Sequence, residues 1–307
     1  MTILLKKKIR GLAFTALLGG SLLLGVPALE RATAPVSLPA AASAGQMSLS
    51  VFDVGQGDAI LAQEGDKQIL IDGGPNGTVL ERLGNAMPQG DREIDLVILT
   101  HPHSDHVNGL AQVLARYKVD KILATDVTAQ LASFRTWREL IMQDKIPLDD
   151  PQKIKVEKVG GMEFDVLSAG TLAGIRGSEH DGNSDGLNDS SIVGMLKFGN
   201  ERFLLMGDAT AVIENKLMAA GADLKADLLK VGHHGSNYST GDSFISAVAP
   251  QFAATSVGAK NSYGNPAWRV MQLLKNKAIA SYRTDLNGTV TAITDGNSLQ
   301  VSAERVR

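Results

Sequence analysis

Ile94-Asp95-Leu96-Val97-Ile98-Leu99-Thr100-His101-Pro102-His103-Ser104-Asp105-His106 is the stretch on which the fold turns. Its first seven residues are short, apolar and β-branched, the pattern of a strand buried on both faces. Four potential metal ligands then fall within six residues, His101 to His106, on the loop that leaves the strand's C-terminal end. Open α/β sheets place their ligands at such ends. An extended turn can aim His101 and His103 at one ion. Asp105 and His106 then face the other way, as the chain bends into a helix expected to begin near Val107. Two ions held by the two pairs would lie a few ångströms apart, as two-metal hydrolysis requires.

Strands and turns expected around this loop carry further polar groups. Asp72 ends a strand over Lys67–Asp72 and precedes Gly73-Gly74; it reads either as a carboxylate that orients the histidine loop or as a turn residue. Asp53 and Asp58 read as turn and loop-bracing groups. Asp208 follows a strand over Arg202–Met206, and caps the next helix if it is not a ligand. An apolar strand over Asp227–Val231 delivers Gly232-His233-His234-Gly235-Ser236. Trp137 is expected in the core or at a cleft wall, and Ser236 as a loop hydrogen-bonder. Residues 169–189 form a long polar loop carrying His180, read as solvent-facing or as a mobile contact.

His101-Pro102-His103-Ser104-Asp105-His106 resembles the HxHxDH motif of the metallo-β-lactamase superfamily. Asp53-Val54-Gly55-Gln56-Gly57-Asp58-Ala59, Leu70-Ile71-Asp72-Gly73-Gly74, Gly207-Asp208-Ala209 and Lys230-Val231-Gly232-His233-His234-Gly235-Ser236 narrow it to the hydrolase domain of ComEC-type competence proteins. The resemblance runs from about Ser48 to Val301. It implies a four-layer αββα sandwich and one or two divalent ions, zinc favoured and manganese the alternative, since imidazole and carboxylate together suit both. It implies metal ligands at His101, His103, Asp105, His106, Asp208 and His233. Asp208 would bridge the ions, as in phosphodiesterases, nucleases, lactonases and thioester hydrolases. True β-lactamases of the superfamily lack that carboxylate, and the absence of cysteine agrees with setting antibiotic hydrolysis aside.

His233 is preferred to His234 as ligand because the family's last histidine follows a strand and a glycine. Asp105 and His234 are the expected catalytic side chains, one orienting or deprotonating the attacking water and the other stabilising developing charge. The sequence departs from the family twice. Where the superfamily has a middle histidine ligand this chain has Asn188-Asp189-Ser190-Ser191, so Asn188 or Asp189 would have to supply an oxygen. Asn265 also stands where a histidine is usual.

The 307 residues carry 30 basic and 33 acidic side chains, a net charge of −3, and no cysteine. Lys6, Lys7, Lys8 and Arg10 precede an apolar run, and Ala42-Ser43-Ala44 fits a small-residue cleavage site, so residues 1–44 read as a signal peptide, an uncleaved anchor or a cytoplasmic start. Without those residues, which hold five basic and one acidic side chain, the remaining 45–307 hydrolase domain has a net charge of −7. No basic run tracks a phosphate backbone, which argues against stable nucleic-acid binding but not against turnover of a nucleic-acid or small phosphodiester. The leading expectation is an extracytoplasmic phosphodiesterase, secreted or tethered to a membrane by its N-terminus. Two alternatives stand beside it: a carboxylic ester, lactone or thioester hydrolase, and a non-catalytic binding protein with a degraded site.

Overall fold

A computed structural model of the chain describes residues 45–171 and 186–305. The expected leader, His180 and most of the long polar loop lie outside these residues. In chain order the first part forms β1 (Met47–Val51), β2 (Ile60–Glu64), β3 (Lys67–Ile71), α1 (Thr78–Ala86), β4 (Glu93–Ile94), β5 (Leu96–Leu99), α2 (Ser104–Leu114), β6 (Lys118–Val119), β7 (Ile122–Ala124), α3 (Ala132–Asp144) and β8 (Leu148–Asp149). The second part forms β9 (Val156–Val159), β10 (Met162–Ser168), β11 (Val193–Phe198), β12 (Glu201–Leu205), α4 (Ala211–Ala219), β13 (Leu228–Lys230), α5 (Asp242–Val248), β14 (Phe252–Thr255), α6 (Trp268–Asn276), β15 (Ala280–Arg283), α7 (Thr284–Asn287), β16 (Val290–Thr294) and β17 (Leu299–Ala303).

These strands make two large sheets, ordered β17-β16-β1-β2-β3-β5-β7-β8 and β15-β14-β13-β12-β11-β10-β9. Side-chain alternation explains how they stack. Leu96 and Ile98 of β5 join Met47, Leu49, Phe164, Leu196 and Phe203 in a core shared by the two sheets. Val97 and Leu99, on the opposite face of β5, pack with residues of α1, α2 and α3, Trp137 among them. The outer face of the second sheet packs in the same way against α4, α5 and α6 through Leu204, Leu229, Ile213, Phe244 and Val270. This is the expected αββα sandwich, and β5 is buried on both faces.

The topology gathers the polar loops at one end. β3, β5 and β7 run parallel in the first sheet, and β12, β13 and β14 in the second. Asp72, His101, Asp208, His234 and Ser256 therefore all follow C-terminal ends of parallel strands, the place where α/β sheets open towards ligands. Among the described residues, no helix is long and apolar enough to cross a membrane.

Candidate metal centre

The half contributed by the first sheet is anchored by Asp72. It is fully buried and adopts a left-handed backbone, φ 58°, which aspartate tolerates better than most residues. The backbone N–H and the hydroxyl of Thr100 donate to its two oxygens at 2.9 and 2.7 Å. Its Oδ2 lies 2.7 Å from His106 Nδ1. A proton held on Nδ1 by that carboxylate leaves the His106 Nε2 lone pair for a metal. Helix α2 is pressed onto this turn: a Cβ at Gly109 would stand 1.8 Å from the Gly73 carbonyl oxygen, so only glycine fits.

His103 precedes the helix with extended backbone, φ −73° and ψ 153°, and α2 starts at Ser104. The helix thus begins earlier than the sequence pattern implied, and Asp105 and His106 occupy its first turn. His101 Nε2 and His103 Nδ1 approach to 2.9 Å. The other nitrogen of His101 faces the hydroxyls of Thr100, at 3.1 Å, and Ser191, at 3.4 Å.

The second sheet supplies Asp208 and the His233-His234 turn. The backbone N–H of Asp208 donates to Ser191 Oγ at 3.1 Å. Its Oδ2 lies 3.3 Å from His234 Nε2, 3.4 Å from His106 Nε2 and 3.9 Å from His101 Nε2. Thr210, not Asp208, caps α4, with its hydroxyl accepting from Val212 N–H at 3.2 Å. Among the described residues, two of the three groups of converging donors contain Asp208: Asp105, His106, Asp208 and His234, and His101, His103 and Asp208; the third is Asp58, Asp72 and His106. In each, one donor atom per residue lies within 4.8 Å of the others. Asp208 is common to the first two.

The structure separates the two adjacent histidines differently from the sequence expectation. His234, not His233, converges with Asp105, His106 and Asp208, its Nε2 standing 3.2 Å from Asp105 Oδ2. The Ser256 carbonyl accepts from its Nδ1 at 2.9 Å. His233 Nε2 lies instead 3.3 Å from the Asn188 side-chain nitrogen. Both histidines sit at left-handed φ, 49° and 54°, and His233 lines the same pocket as His234 without joining its group of converging donors. His234, expected as a catalytic donor, thus lies among the donors that could hold an ion, where the expectation put its neighbour.

Asp189 does not replace the middle histidine either. Its carboxylate accepts from the Thr210 hydroxyl at 2.6 Å and braces the start of α4. Asn188 is the residue of that turn that stands beside His233. Asn265 lines the pocket over the ligand groups, with Gln56, His103 and Tyr263.

Charge balance defines what the centre accepts. Burial lowers the His101 pKa well below the ordinary histidine value, keeping it neutral. Burial opposes a charged His106 or His234 as well, yet nearby carboxylates outweigh it and raise both pKa values. Asp208 and Asp72 act on His106, and Asp208 and Asp58 on His234. Against the cost of burial, His106 and His234 hold the Asp105 pKa down at about 2. The centre therefore draws in positive charge. His106 Nε2, His234 Nε2 and Asp208 Oδ1 are buried without a hydrogen-bond partner among the described residues. Convergent, unpartnered nitrogen and oxygen donors in an anionic nest fit a divalent ion.

Two contributors were not found by sequence reasoning. Ser191 supports both Asp208 and His101. Lys230, an ammonium inside an apolar strand, is fully buried against Asp58; its place in that strand was the signal.

Comparison with known proteins agrees with this geometry. Residues 52–258 match the family model described as the metallo-β-lactamase superfamily. The chain is 28% identical over 270 residues to ComE operon protein 3 of Bacillus subtilis, covering 82% of this chain and 33% of that protein. It is 28% identical over 257 residues to competence protein ComA of Neisseria gonorrhoeae, with the same coverages. The chain thus spans about one third of the length of these relatives. Igni18, a metallo hydrolase from Ignicoccus hospitalis, has a similar fold with a TM-score of 0.51 and 16% identity, over 80% of this chain and 98% of its own.

Proposed function

Since the chain belongs to the metallo-β-lactamase superfamily of metal-dependent hydrolases, we propose that it is an extracytoplasmic phosphodiesterase acting on a nucleic-acid or small phosphodiester. The observation that carries this reading is Asp208, whose single carboxylate is shared by two ligand groups. Such sharing suits a centre that must grip both the attacking and the leaving oxygen of a displacement at phosphorus. Likeness to competence proteins supports the substrate class. The basic, then apolar, N-terminal sequence and the lack of cysteine support the location.

Residues of both groups would hold zinc or manganese, which when bound lowers the pKa of a water towards neutrality and polarises the substrate oxygen. The protein's own part is positioning. Asp105 lines the pocket and orients the water or takes its proton. Asp72 and the Ser256 carbonyl fix the tautomers of His106 and His234 so that both Nε2 atoms face inward. His233 and Asn265 line the same pocket and offer polar groups to a substrate bound there.

The net negative charge favours a second reading, a carboxylic ester, lactone or thioester hydrolase, because residues 45–307 carry no basic run of the kind that tracks a polyanion. A panel of a chromogenic phosphodiester, linear DNA, esters and lactones decides between them, run with zinc and with manganese beside Asp208→Asn. Phosphodiester or DNA cleavage that Asp208→Asn abolishes is the expected result. Ester turnover alone puts the second reading first. Metal binding without turnover favours a binding protein.

A further inference from the structure

Lys230 and Asp58 form the most deeply buried lysine or arginine ion pair among the described residues, Nζ 2.7 Å from Oδ2, with the side chains 0% and 1% exposed. Neither belongs to a group that contains Asp208, although Asp58 converges with Asp72 and His106 behind it. Withdrawing two charges from water costs several kcal/mol each, and packed apolar side chains of similar volume often serve stability as well or better. Stability therefore gives no account of this pair. Its position does.

Lys230 ends β13 of the second sheet, four residues before His234. Asp58 lies in the loop between β1 and β2 of the first sheet. The pair bridges the seam where the two halves of the metal centre meet. On the Asp58 side, the backbone N–H donates to the Asp105 carbonyl at 3.2 Å, and the carbonyl accepts from Gly74 N–H at 2.7 Å. The carboxylate's other oxygen lies 3.4 Å from His234 Nδ1. The same loop is stitched to the second sheet by Ser256 Oγ donating to the Gly57 carbonyl at 2.6 Å. At Gly57 a Cβ would stand 2.2 Å from the Asp105 carbonyl oxygen, so the loop lies directly on the first turn of α2.

We propose that Lys230 and Asp58 are a positioning pair that locks the loop carrying Asp58 to β13 and so sets the spacing of Asp105 and His234 around one divalent ion. The proposal rests on the metal-hydrolase reading and goes beyond its ligands. A carboxylate suits the position because it attracts the Nδ1–H of His234 alongside the Ser256 carbonyl and keeps Nε2 turned inward. Lysine suits the other because Asp58 would otherwise add an uncompensated charge to a centre that already holds Asp72, Asp105 and Asp208. A neutral pair of the same shape would hold the loop without orienting the imidazole.

The test uses the full chain, stripped of metal and titrated with Mn²⁺ and Zn²⁺ by calorimetry, with unfolding of the metal-free protein measured in parallel. The variants are Lys230→Met, Asp58→Asn, the double variant and Lys230→Arg. Each single neutral variant is expected to weaken binding at the group containing His234 about 10–100-fold, the range for groups that orient ligands. Binding at the His101 and His103 group is expected to hold. In the double variant the unfolding midpoint should recover while affinity should not, and Lys230→Arg should restore part of the affinity. A Co²⁺ absorption spectrum altered in the single variants would report the displaced ligand independently of turnover. Wild-type affinity in the double variant would overturn the proposal, because burial without charge would then suffice. A wild-type chain that binds no divalent ion would overturn the metal-hydrolase reading itself, and this proposal with it.

Discussion

The two ligand groups share Asp208 but are built to different standards. In the group of Asp105, His106, Asp208 and His234, each imidazole is backed by a strong acceptor. Asp72 lies 2.7 Å from His106 and the Ser256 carbonyl 2.9 Å from His234. In the group of His101, His103 and Asp208, the partners of the His101 Nδ1 among the described residues are hydroxyls, at 3.1 and 3.4 Å. Asn188 occupies the turn from which the resembled superfamily sends a further histidine. Backing groups fix the tautomer and raise ligand basicity, so the first group should bind an ion more tightly than the second. The lesson is that a shared carboxylate does not make two equal sites. Ligand number and the groups behind the ligands decide the order of filling.

The largest effect is expected where the comparison collapses, at the shared residue. Asp208→Asn removes an anionic oxygen from both groups at once. Several kcal/mol of charge stabilisation at about 1.4 kcal/mol per decade correspond to roughly a thousandfold loss of kcat. Steady-state kinetics together with metal content by elemental analysis would show it. Near-normal turnover would mean that one group works without the shared oxygen.

A smaller, one-sided effect is expected behind His106. Asp72→Ala should weaken the tighter group roughly 10–100-fold and leave the His101 and His103 group nearly unchanged, because only His106 loses its partner. Calorimetric titration of metal-free protein would resolve the two events. Equal weakening of both would show that Asp72 supports the whole loop through Thr100, whose N–H and hydroxyl it also accepts. Chelation offers a third view. An ion present at a hundred times its Kd stabilises by about 2.7 kcal/mol, so metal removal should lower the unfolding midpoint, with the tighter group dominating at low free metal. A single shallow transition across all metal concentrations would argue that the groups are equivalent.

How much of this could be read without coordinates depended on how local the determinant was. Buried β5 and the histidine loop that follows it were legible because an apolar run and clustered potential ligands lie side by side in sequence. Asp72 behind His106 was legible as one of two readings, since metal-bound imidazoles need such a partner. The choice between His233 and His234 was not. Both follow the same strand and glycine, and two consecutive left-handed residues break the alternation on which spacing arguments depend. Asp189 was equally ambiguous beside Asn188 until the position of Thr210 showed which carboxylate braced the helix. Lys230 was passed over although a charge in an apolar strand was a signal, and its partner Asp58 belongs to the other sheet, so only the packing of the two sheets brings them together.

The smallest expected effect sharpens the comparison most. Asn188 is fully buried, and its amide stands 3.3 Å from His233 Nε2. Asn188→His would supply the weaker group with the imidazole it lacks, at the cost of fitting a larger side chain into a packed turn, about 1–3 kcal/mol. The metal-free variant should therefore unfold at a lower midpoint than wild type. Affinity at the weaker group should rise about tenfold, equivalent to about 1.4 kcal/mol, and bring a second equivalent of metal into the measurable range. Asn188→Ala is the complement. If the asparagine oxygen already serves as a ligand, alanine lowers affinity at the same group, and the histidine variant merely exchanges one donor for another. If alanine changes nothing while histidine raises affinity, Asn188 is a spacer, and the inequality of the two groups originates at that one position.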